Sequence, residues 1–348
     1  MSRPAWKTEL ASCITGPEAL DLSPRREQAM NRVIQRYPMR VPPQLARLMD
    51  ASDPLCPIAR QVLPHPDELR SGGQADPLDE ENFFIAPGVI RRFDDRLLVL
   101  VCNTCPVLCR HCNRKRYWKS DGKPPALATP KDIAEALKKS AGRIKEVILS
   151  GGEPLLRSDA DLNRLLMAAR GHAGVELLRI HSRAPVSLPN RITPGLVRML
   201  RRHRPLWFVT HFNHAKEIDK QASHALERLQ TAGIPVLNQA VLLKGINDSL
   251  KALEDLGRAL LTAGVKPHTL FQLDRAEGTL HFQVPLKKAV ALVAKLRARR
   301  SGLLTPHLLA DLPGRGGKVP ITPSAIETFV ENGAWIKGSD GKRVFYRC

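Results

Sequence analysis

Residues 96–112, RLLVLVCNTCPVLCRHC, join an apolar run to four cysteines that fall within eleven residues. The run at 97–102 predicts a buried β-strand, because it is short, continuous and rich in branched aliphatic side chains. Cys105, Cys109 and Cys112 follow that strand with the spacing CxxxCxxC. The chain has seven cysteines, and an odd, tightly clustered set favours a metal site over a disulfide framework.

A repeated strand–helix pattern begins in this stretch and predicts an α/β barrel around a parallel sheet. Further strands are predicted at residues 146–150, 176–181, 206–212, 235–242 and 268–273. Helices are predicted at residues 130–140, 159–170, 194–203, 216–232, 249–263 and 286–300. Polar loops follow the strands, and barrel active sites are built from the loops at the C-terminal ends of strands.

The barrel is assigned to residues 96–300 of the 348-residue chain. Residues 1–95 precede it as short helices interrupted by prolines, and residues 301–348 follow as a C-terminal segment. No apolar run approaches the roughly 20 residues that a membrane span needs. The start, MSRPAWKTEL, lacks the apolar stretch of a secretion signal. We therefore expect a cytoplasmic protein with no membrane contact.

The formal net charge of +20 fits a solvated basic surface, anionic cofactors, or a nucleic-acid or acidic-protein partner. Lysine and arginine are spread over most of the predicted helices and form no basic tail. Aromatic residues, which stack on bases in many nucleic-acid binders, make up only 5% of the chain. Charge alone therefore does not predict nucleic-acid binding.

The three clustered thiolates suit two kinds of metal site. On a four-iron cluster, Cys105, Cys109 and Cys112 leave one iron without a protein ligand, so that a substrate or cofactor can bind there. Soft thiolates also suit zinc, which usually requires a fourth protein ligand, and His111 is near enough in sequence to supply one. Cys102 is interpreted as a packed thiol of the strand. An iron–sulfur cluster is favoured, and a zinc site is the alternative.

Residues 95–118, DRLLVLVCNTCPVLCRHCNRKRYW, resemble the corresponding stretch of lysine 2,3-aminomutases, which are pyridoxal 5′-phosphate (PLP)-dependent radical S-adenosylmethionine (SAM) enzymes. The resemblance implies a 4Fe–4S cluster on Cys105, Cys109 and Cys112, whose open iron binds SAM. Cleavage of SAM then gives a 5′-deoxyadenosyl radical. The next predicted strand ends in SGGEP, and Gly151, Gly152 and Glu153 are implied to contact SAM. Other residues implied to line SAM and PLP are His111, Ser182, Arg183, His211 and Gln239.

Residues 311–320, DLPGRGGKVP, resemble the PLP loop of the same family, with Arg315 in place of its second glycine. The resemblance implies that Lys318 binds PLP covalently, since a desolvated amine is a nucleophile near neutral pH. Arg92 and Arg96 match the family's phosphate-binding arginines. The implied fold is a partial (β/α)6-type radical SAM barrel with a helical N-terminal extension and a short C-terminal PLP-loop segment.

The resemblance also implies a cationic amino-acid substrate. Arg114 matches the family's clamp for the substrate carboxylate, and Asp274 and Asp311 match the two aspartates that bind the lysine ammonium group. Asn113 replaces the usual threonine beside the clamp. The leading hypothesis is conversion of L-lysine to β-lysine. The alternatives are the same chemistry on arginine or on lysine destined for elongation factor P, and a non-catalytic iron–sulfur or zinc protein that binds nucleic acid.

Two departures from the family bear on zinc. Ser249 stands where family members carry a zinc-binding cysteine, and the sequence stops at Cys348 without the cysteine-rich tail of the family. No zinc is therefore predicted. The implied partners are a small-molecule amino acid and a reductant such as flavodoxin or ferredoxin, and assembly into a homo-oligomer is left open.

Overall fold

A ten-stranded sheet forms the centre of the molecule, and its strands lie side by side in the order of the chain. The computed structural model describes residues 4–140, 142–322, 324–331, 333–338 and 341–347. The ten strands are β1 (Phe84–Ala86), β2 (Val89–Ile90), β3 (Arg96–Cys102), β4 (Glu146–Gly151), β5 (Leu177–His181), β6 (Leu206–Thr210), β7 (Val236–Val241), β8 (Lys266–Phe271), β9 (His307–Leu312) and β10 (Gly317–Pro320). Strands β3 to β9 are parallel, and β1, β2 and β10 are antiparallel to their neighbours.

This arrangement confirms the predicted partial α/β barrel, and all six predicted strands are present as β3 to β8. The sheet contains a seventh parallel strand, β9, which the sequence pattern did not predict. Both β9 and the antiparallel β10 come from the segment after residue 300, while β1 and β2 come from the segment before residue 96. The two flanking segments therefore extend the barrel sheet at its opposite edges.

Eleven α-helices are described, of which six long ones cover the barrel strands. The N-terminal and loop helices are α1 (Ala5–Ala11), α2 (Pro24–Ile34), α3 (Pro43–Leu48), α4 (Ala59–Val62) and α7 (Ala184–Ser187). The covering helices are α5 (Pro130–Lys139), α6 (Asp159–Arg170), α8 (Pro194–Arg201), α9 (Lys220–Thr231), α10 (Leu250–Thr262) and α11 (Leu286–Arg299). Five of these six begin at a Ser, Thr or Asp whose side chain accepts a backbone N–H, which fixes where each starts.

Ser249 is one of these capping residues, because its hydroxyl accepts the N–H of Ala252 at the start of α10. The position at which the family carries a zinc-binding cysteine thus has a helix-capping role here. Cys348, the other residue on which the zinc prediction depends, lies outside the described residues.

Residues 105–115, which follow β3, are called the cysteine loop. A buried charge cluster fixes the N-terminal extension to the barrel at this loop. Glu68 accepts hydrogen bonds from Arg110 at 2.5 Å and from Lys115 at 2.6 Å, and all three side chains are 0–1% exposed. A carboxylate without water needs such partners, because an unpaired buried charge would cost several kcal/mol. These hydrogen bonds hold residues 105–115 against the N-terminal extension.

The end of the described chain forms a separate antiparallel sheet of three strands, β11 (Ile326–Val330), β12 (Gly333–Lys337) and β13 (Arg343–Arg347). Its buried Ala334, Ile336 and Tyr346 belong to the same hydrophobic core as the barrel. Within the described residues, no helix has both the length and the apolar character needed to cross a membrane.

Candidate active site

A cavity of about 510 Å³ opens at the C-terminal ends of the parallel strands. It is lined by residues from β2 to β5 and β7 to β10, from the loops after β3, β6 and β8, and from the segment before β3. The predicted site residues that line it are Arg92, Arg96, Cys105, Cys109, His111, Cys112, Arg114, Gly151, Gly152, Glu153, Arg183, His211, Gln239, Asp274, Asp311 and Lys318. Ser182 is the predicted residue that does not line this cavity. Cysteines, lysine and acids predicted from separate motifs thus share one space.

The cysteine loop supplies three thiols to this cavity. Burial raises the pKa of Cys105 well above that of an ordinary thiol, and the neighbouring thiols Cys109 and Cys112 raise it further. Burial also raises the pKa of Cys112. Such thiols become thiolates only when a cation replaces their protons, which is what metal binding does. The donor set therefore fits an iron–sulfur cluster.

The spacing of the donors also bears on the kind of metal. Across the described ranges, no three His, Cys, Asp or Glu side chains converge at the spacing that a single ion requires. A four-iron cluster needs a wider spacing, because each thiolate binds a different iron atom. Cys102 has its own partner, since its thiol donates to the carbonyl oxygen of Thr104 at 3.4 Å, in keeping with a packed thiol.

The glycine loop after β4 lies directly against the cysteine loop. The N–H of Gly152 donates to the carbonyl oxygen of Cys102 at 2.6 Å, and the N–H of Glu153 donates to that of Thr104 at 2.7 Å. A Cβ on Gly152 would lie 2.4 Å from the Thr104 oxygen, and Gly151 has a φ of +115°. From the sequence, these glycines are predicted to let the backbone approach SAM. In the structure they also allow the two loops to contact each other.

Replacing Gly152 with alanine should therefore destabilise the protein and impair cluster assembly. Overpacking of this kind costs about 1–3 kcal/mol of unfolding free energy. Thermal unfolding and iron content per chain measure the two effects. Gly302→Ala is the matched control, because no atom of the described residues lies within 4 Å of the Cβ that alanine would add there. Equal stability and iron content in the two variants would contradict the contact between the loops.

Glu153 and Ser182 connect the loops after β4 and β5. The Glu153 carboxylate accepts the Ser182 hydroxyl at 2.7 Å and the N–H groups of Arg183 and Leu155 at 2.8 and 3.0 Å. Burial raises its pKa to about 7. The Ser182 hydroxyl also accepts the N–H of Ala184, and the residue is 1% exposed. Ser182 therefore orders the loop after β5, and its side chain does not line the cavity.

Lys318 and Asp311 lie opposite each other in the β9–β10 hairpin. The Lys318 side chain is enclosed by protein but remains accessible to solvent, because it projects into the cavity. Burial lowers the pKa of its ammonium group, while the nearby Asp311 carboxylate opposes that shift. A lysine with a lowered pKa has a larger neutral fraction, which is the form that attacks a carbonyl carbon. Lys318 thus fits covalent binding of an aldehyde cofactor.

Comparison with known proteins identifies the family of this chain. The model of the radical SAM superfamily matches residues 99–256. An L-lysine 2,3-aminomutase of Acetoanaerobium sticklandii is 35% identical over 97% of this chain and 82% of its own length. That of Fusobacterium nucleatum subsp. nucleatum is 37% identical over 92% of this chain and 76% of its own length. The chain belongs to the lysine 2,3-aminomutase family.

Membership in the lysine 2,3-aminomutase family confirms the resemblance and makes the protein a radical SAM isomerase with a 4Fe–4S cluster, SAM and PLP as cofactors. The non-catalytic alternative is thereby excluded. Among solved structures, a radical SAM methyltransferase from Sphaerobacter thermophilus has a TM-score of 0.48 at 15% identity, covering 64% of this chain and 68% of its own.

Four buried polar atoms around the cavity fit the bound cofactors of a lysine 2,3-aminomutase. His111 Nδ1, His181 Nε2, Arg183 Nε and Gln272 Oε1 have no hydrogen-bond partner among the described residues. Buried polar atoms are normally satisfied, so these four fit polar ligand atoms in the cavity. Burial lowers the pKa of His181, and it lowers that of His211 to about 4, so both imidazoles are neutral at pH 7.

Arg92, predicted to bind the PLP phosphate, has a different set of partners in this structure. It donates to the Asp311 carboxylate at 2.7 Å, to the Gly314 carbonyl oxygen at 2.6 Å and to the Leu312 carbonyl oxygen. All three guanidinium nitrogens therefore hold the glycine-rich loop. Arg96, the other arginine predicted to bind the phosphate, lines the cavity and stacks on Phe93 at 3.9 Å, and it donates to Asp95 at 3.0 Å.

Arg114, predicted to clamp the substrate carboxylate, is held by a residue that sequence reasoning missed. Its Nε and one Nη donate to the two oxygens of Glu80 at 2.9 and 2.6 Å. Glu80 is 4% exposed and also accepts Arg116 at 3.3 Å. It lies in the short helix Glu80–Phe83 at the end of the N-terminal extension. Nothing in the sequence EENF distinguishes it from a surface acid.

Asp274 lies in an environment that differs from that of a surface acid. Burial raises its pKa, and the nearby Asp311 carboxylate raises it further. Asn113, which replaces the family's threonine, donates to Asp274 at 2.9 Å. Two carboxylates that share a buried space favour a cation between them, because the cation relieves their mutual repulsion.

Proposed function

We propose that this protein moves the amino group of L-lysine from carbon 2 to carbon 3, producing β-lysine. The observation that carries the proposal is the acidic pair Asp274 and Asp311 in the same cavity as the cysteine loop and Lys318. In a chain of net charge +20, two partly buried acids at the substrate end of a family active site fit a substrate with a terminal ammonium group.

Each cofactor has a proposed set of residues. Cys105, Cys109 and Cys112 would hold the 4Fe–4S cluster, and Lys318 would hold PLP, with Arg96 at its phosphate. The neighbours of SAM would be Gly151, Gly152, Glu153, His111, Arg183, His211 and Gln239. When bound, the cluster and SAM supply a radical that removes a hydrogen atom, and PLP supplies the carbon–nitrogen chemistry.

The side chains of the chain itself orient the substrate. Asp274 binds the ammonium group together with Asp311, which also accepts Arg92 at 2.7 Å, and their partial burial strengthens this attraction because less water screens it. Arg114 binds the carboxylate, and Glu80 keeps its guanidinium in position. These contacts at the two ends of lysine fix carbon 3 between them, and the enclosed cavity keeps water away from the reacting atoms.

The remaining assignments follow from this chemistry. A low-potential donor such as flavodoxin or ferredoxin would reduce the cluster, and both donor and free thiolates belong in the reducing cytoplasm. The division into residues 1–95, 96–300 and 301–348 is proposed as extension, radical SAM barrel and PLP-binding segment. Gel filtration measures whether the protein forms a homo-oligomer.

The test is anaerobic incubation of reconstituted protein with dithionite, SAM, PLP and L-lysine, followed by chromatography of the products. β-Lysine is the expected product. The assay is repeated with arginine and with ornithine at the same concentration. Turnover of either of these without turnover of lysine would overturn the substrate assignment and leave the class intact. No turnover by a protein loaded with all three cofactors would overturn the proposal.

Replacing Asp274 with asparagine should lower kcat/KM for lysine about 30-fold or more, mainly by raising KM. The change keeps the shape and the contact with Asn113 but leaves the substrate ammonium with one fewer carboxylate, at a cost of about 2–3 kcal/mol. Steady-state kinetics measure the effect. Asp255→Asn is the control, because Asp255 pairs with Lys251 on the surface of α10. Equal kinetics in both variants would contradict ammonium binding by Asp274.

A further inference from the structure

Arg183 makes a direct hydrogen bond to Cys109 in the cysteine loop. Its Nη1 donates to Cys109 Sγ at a distance of 2.7 Å. We propose that this hydrogen bond raises the reduction potential of the iron–sulfur cluster, and that Glu217 limits the increase by neutralising part of the Arg183 charge. The inference rests on the proposed assignment of the cluster to Cys105, Cys109 and Cys112.

The Arg183 guanidinium is held rigidly in this position. Its Nη2 donates to Gln61 Oε1 and to Glu217 Oε1, both at 2.7 Å. Arg183 is 8% exposed, and Gln61 and Glu217 are 0% exposed. Gln61 belongs to α4, Arg183 follows β5, and Glu217 follows β6, so three parts of the chain meet here. The contact with Cys109 is therefore part of the packed interior.

Glu217 is fixed as firmly as Arg183. Its second oxygen accepts the N–H of Asn213 at 2.6 Å and the N–H of His214 at 2.9 Å. One oxygen thus orders the loop after β6, and the other binds the arginine. A glutamine at this position keeps an oxygen for these N–H groups and removes the charge, while its amide NH2 replaces the oxygen that accepts from Arg183.

The effect on the cluster follows from charge. Reduction adds one electron from a low-potential donor, which is itself oxidised by one electron, and no proton moves because arginine stays protonated throughout. A cationic donor on a ligand sulfur stabilises the more negative, reduced cluster, and hydrogen bonds to sulfur are among the factors that set such potentials. In a buried site the effect is large because screening is weak.

This arrangement makes opposite predictions for the two charges. Arg183→Gln should shift the midpoint potential of the cluster to a more negative value, because it removes the cation. Glu217→Gln should shift it to a less negative value, because the arginine charge is then uncompensated. A purely structural role would lower the stability of both variants without moving their potentials in opposite directions.

The experiment is a redox titration of the reconstituted proteins, with the reduced cluster measured by electron paramagnetic resonance. Arg170→Gln is the control. Arg170 donates to the carbonyl oxygens of Glu176, His203 and Pro205, which lie in the loops before β5 and β6, away from the cysteine loop. The midpoint potential of the cluster in Arg170→Gln should equal that of the wild type, even if the melting temperature of this variant falls.

Several outcomes decide the inference. Unchanged potentials, or shifts of the same sign in Arg183→Gln and Glu217→Gln, would overturn it. If Arg183→Gln assembles no cluster, the midpoint potentials of Glu217→Gln and of Arg183→Lys, which keeps the charge, are measured instead. Glu217→Gln must still raise the potential, and failure to do so overturns the inference. A wild-type protein that assembles no iron–sulfur cluster would overturn the proposed function itself, which iron analysis distinguishes from a cluster whose potential does not move.

Discussion

Replacing any one of Cys105, Cys109 and Cys112 with serine will abolish the iron–sulfur cluster and lower turnover about 1,000-fold or more. A hydroxyl is a harder and far less acidic ligand than a thiol, so it does not substitute for thiolate on iron. The three thiols act as a unit, and loss of one therefore costs as much as loss of all three. Iron content, visible absorbance and β-lysine formation measure the loss.

Cys102→Ser is the matched control for the cysteine series. Its hydroxyl can replace the thiol as donor to Thr104, and Cys102 does not line the cavity. Iron content and turnover should stay close to those of the wild type. A Cys102 variant that loses the cluster, or a Cys105 variant that keeps it, would show that the ligand set is wrong.

Lys318→Ala should remove covalently bound PLP and lower turnover by a factor of about 1,000 or more, because the variant lacks the amine that the hairpin holds opposite Asp311. The absorbance of PLP that remains after gel filtration measures the first effect. Iron content should be unchanged, since the cysteine loop follows a different strand. This separates loss of cofactor binding from loss of the fold.

Lys266→Ala is the control for Lys318. Lys266 begins β8, which lies on the other side of β9 from the strand of Lys318, and its ammonium group donates to the carbonyl oxygens of Gly302 and Leu303. It lies at the end of the strand away from the cavity. PLP retained equally by both variants would place the cofactor lysine elsewhere.

Local sequence patterns predicted the barrel because buried parallel strands are continuous apolar runs and the covering helices are amphipathic. The strand β9 escaped prediction for a physical reason. Its residues HLLADL alternate between exposed and buried positions and include a charged Asp311, and the following glycines are typical of a loop. The strand exists because β8 and β10 pair with it, which is information that no short window of sequence contains.

The candidate site shows the same limit. The local spacing of the three cysteines predicts a metal site, whereas the roles of the glycine loop and of Lys318 are predictions that rest on the family resemblance. The partners of the arginines could not be predicted, since Glu80 and Arg114 are separated by 34 residues and Gln61 and Arg183 by 122. His181 could have been predicted from its place at the end of a strand, next to Ser182. Arg92 shows that a residue matched to a family role can acquire other partners from the tertiary structure.

The β9–β10 hairpin has a consequence for engineering. Asp311 and Lys318 face each other across one pair of antiparallel strands, so main-chain hydrogen bonds fix the separation between the proposed substrate-binding acid and the proposed cofactor lysine. A one-residue slip in the register of this hairpin would reverse the side of the sheet on which Lys318 lies. Asp274 follows a different strand and is free of this constraint. Attempts to redirect the enzyme to new amino acids should therefore vary Asp274 and its neighbours, and keep the length of the hairpin constant.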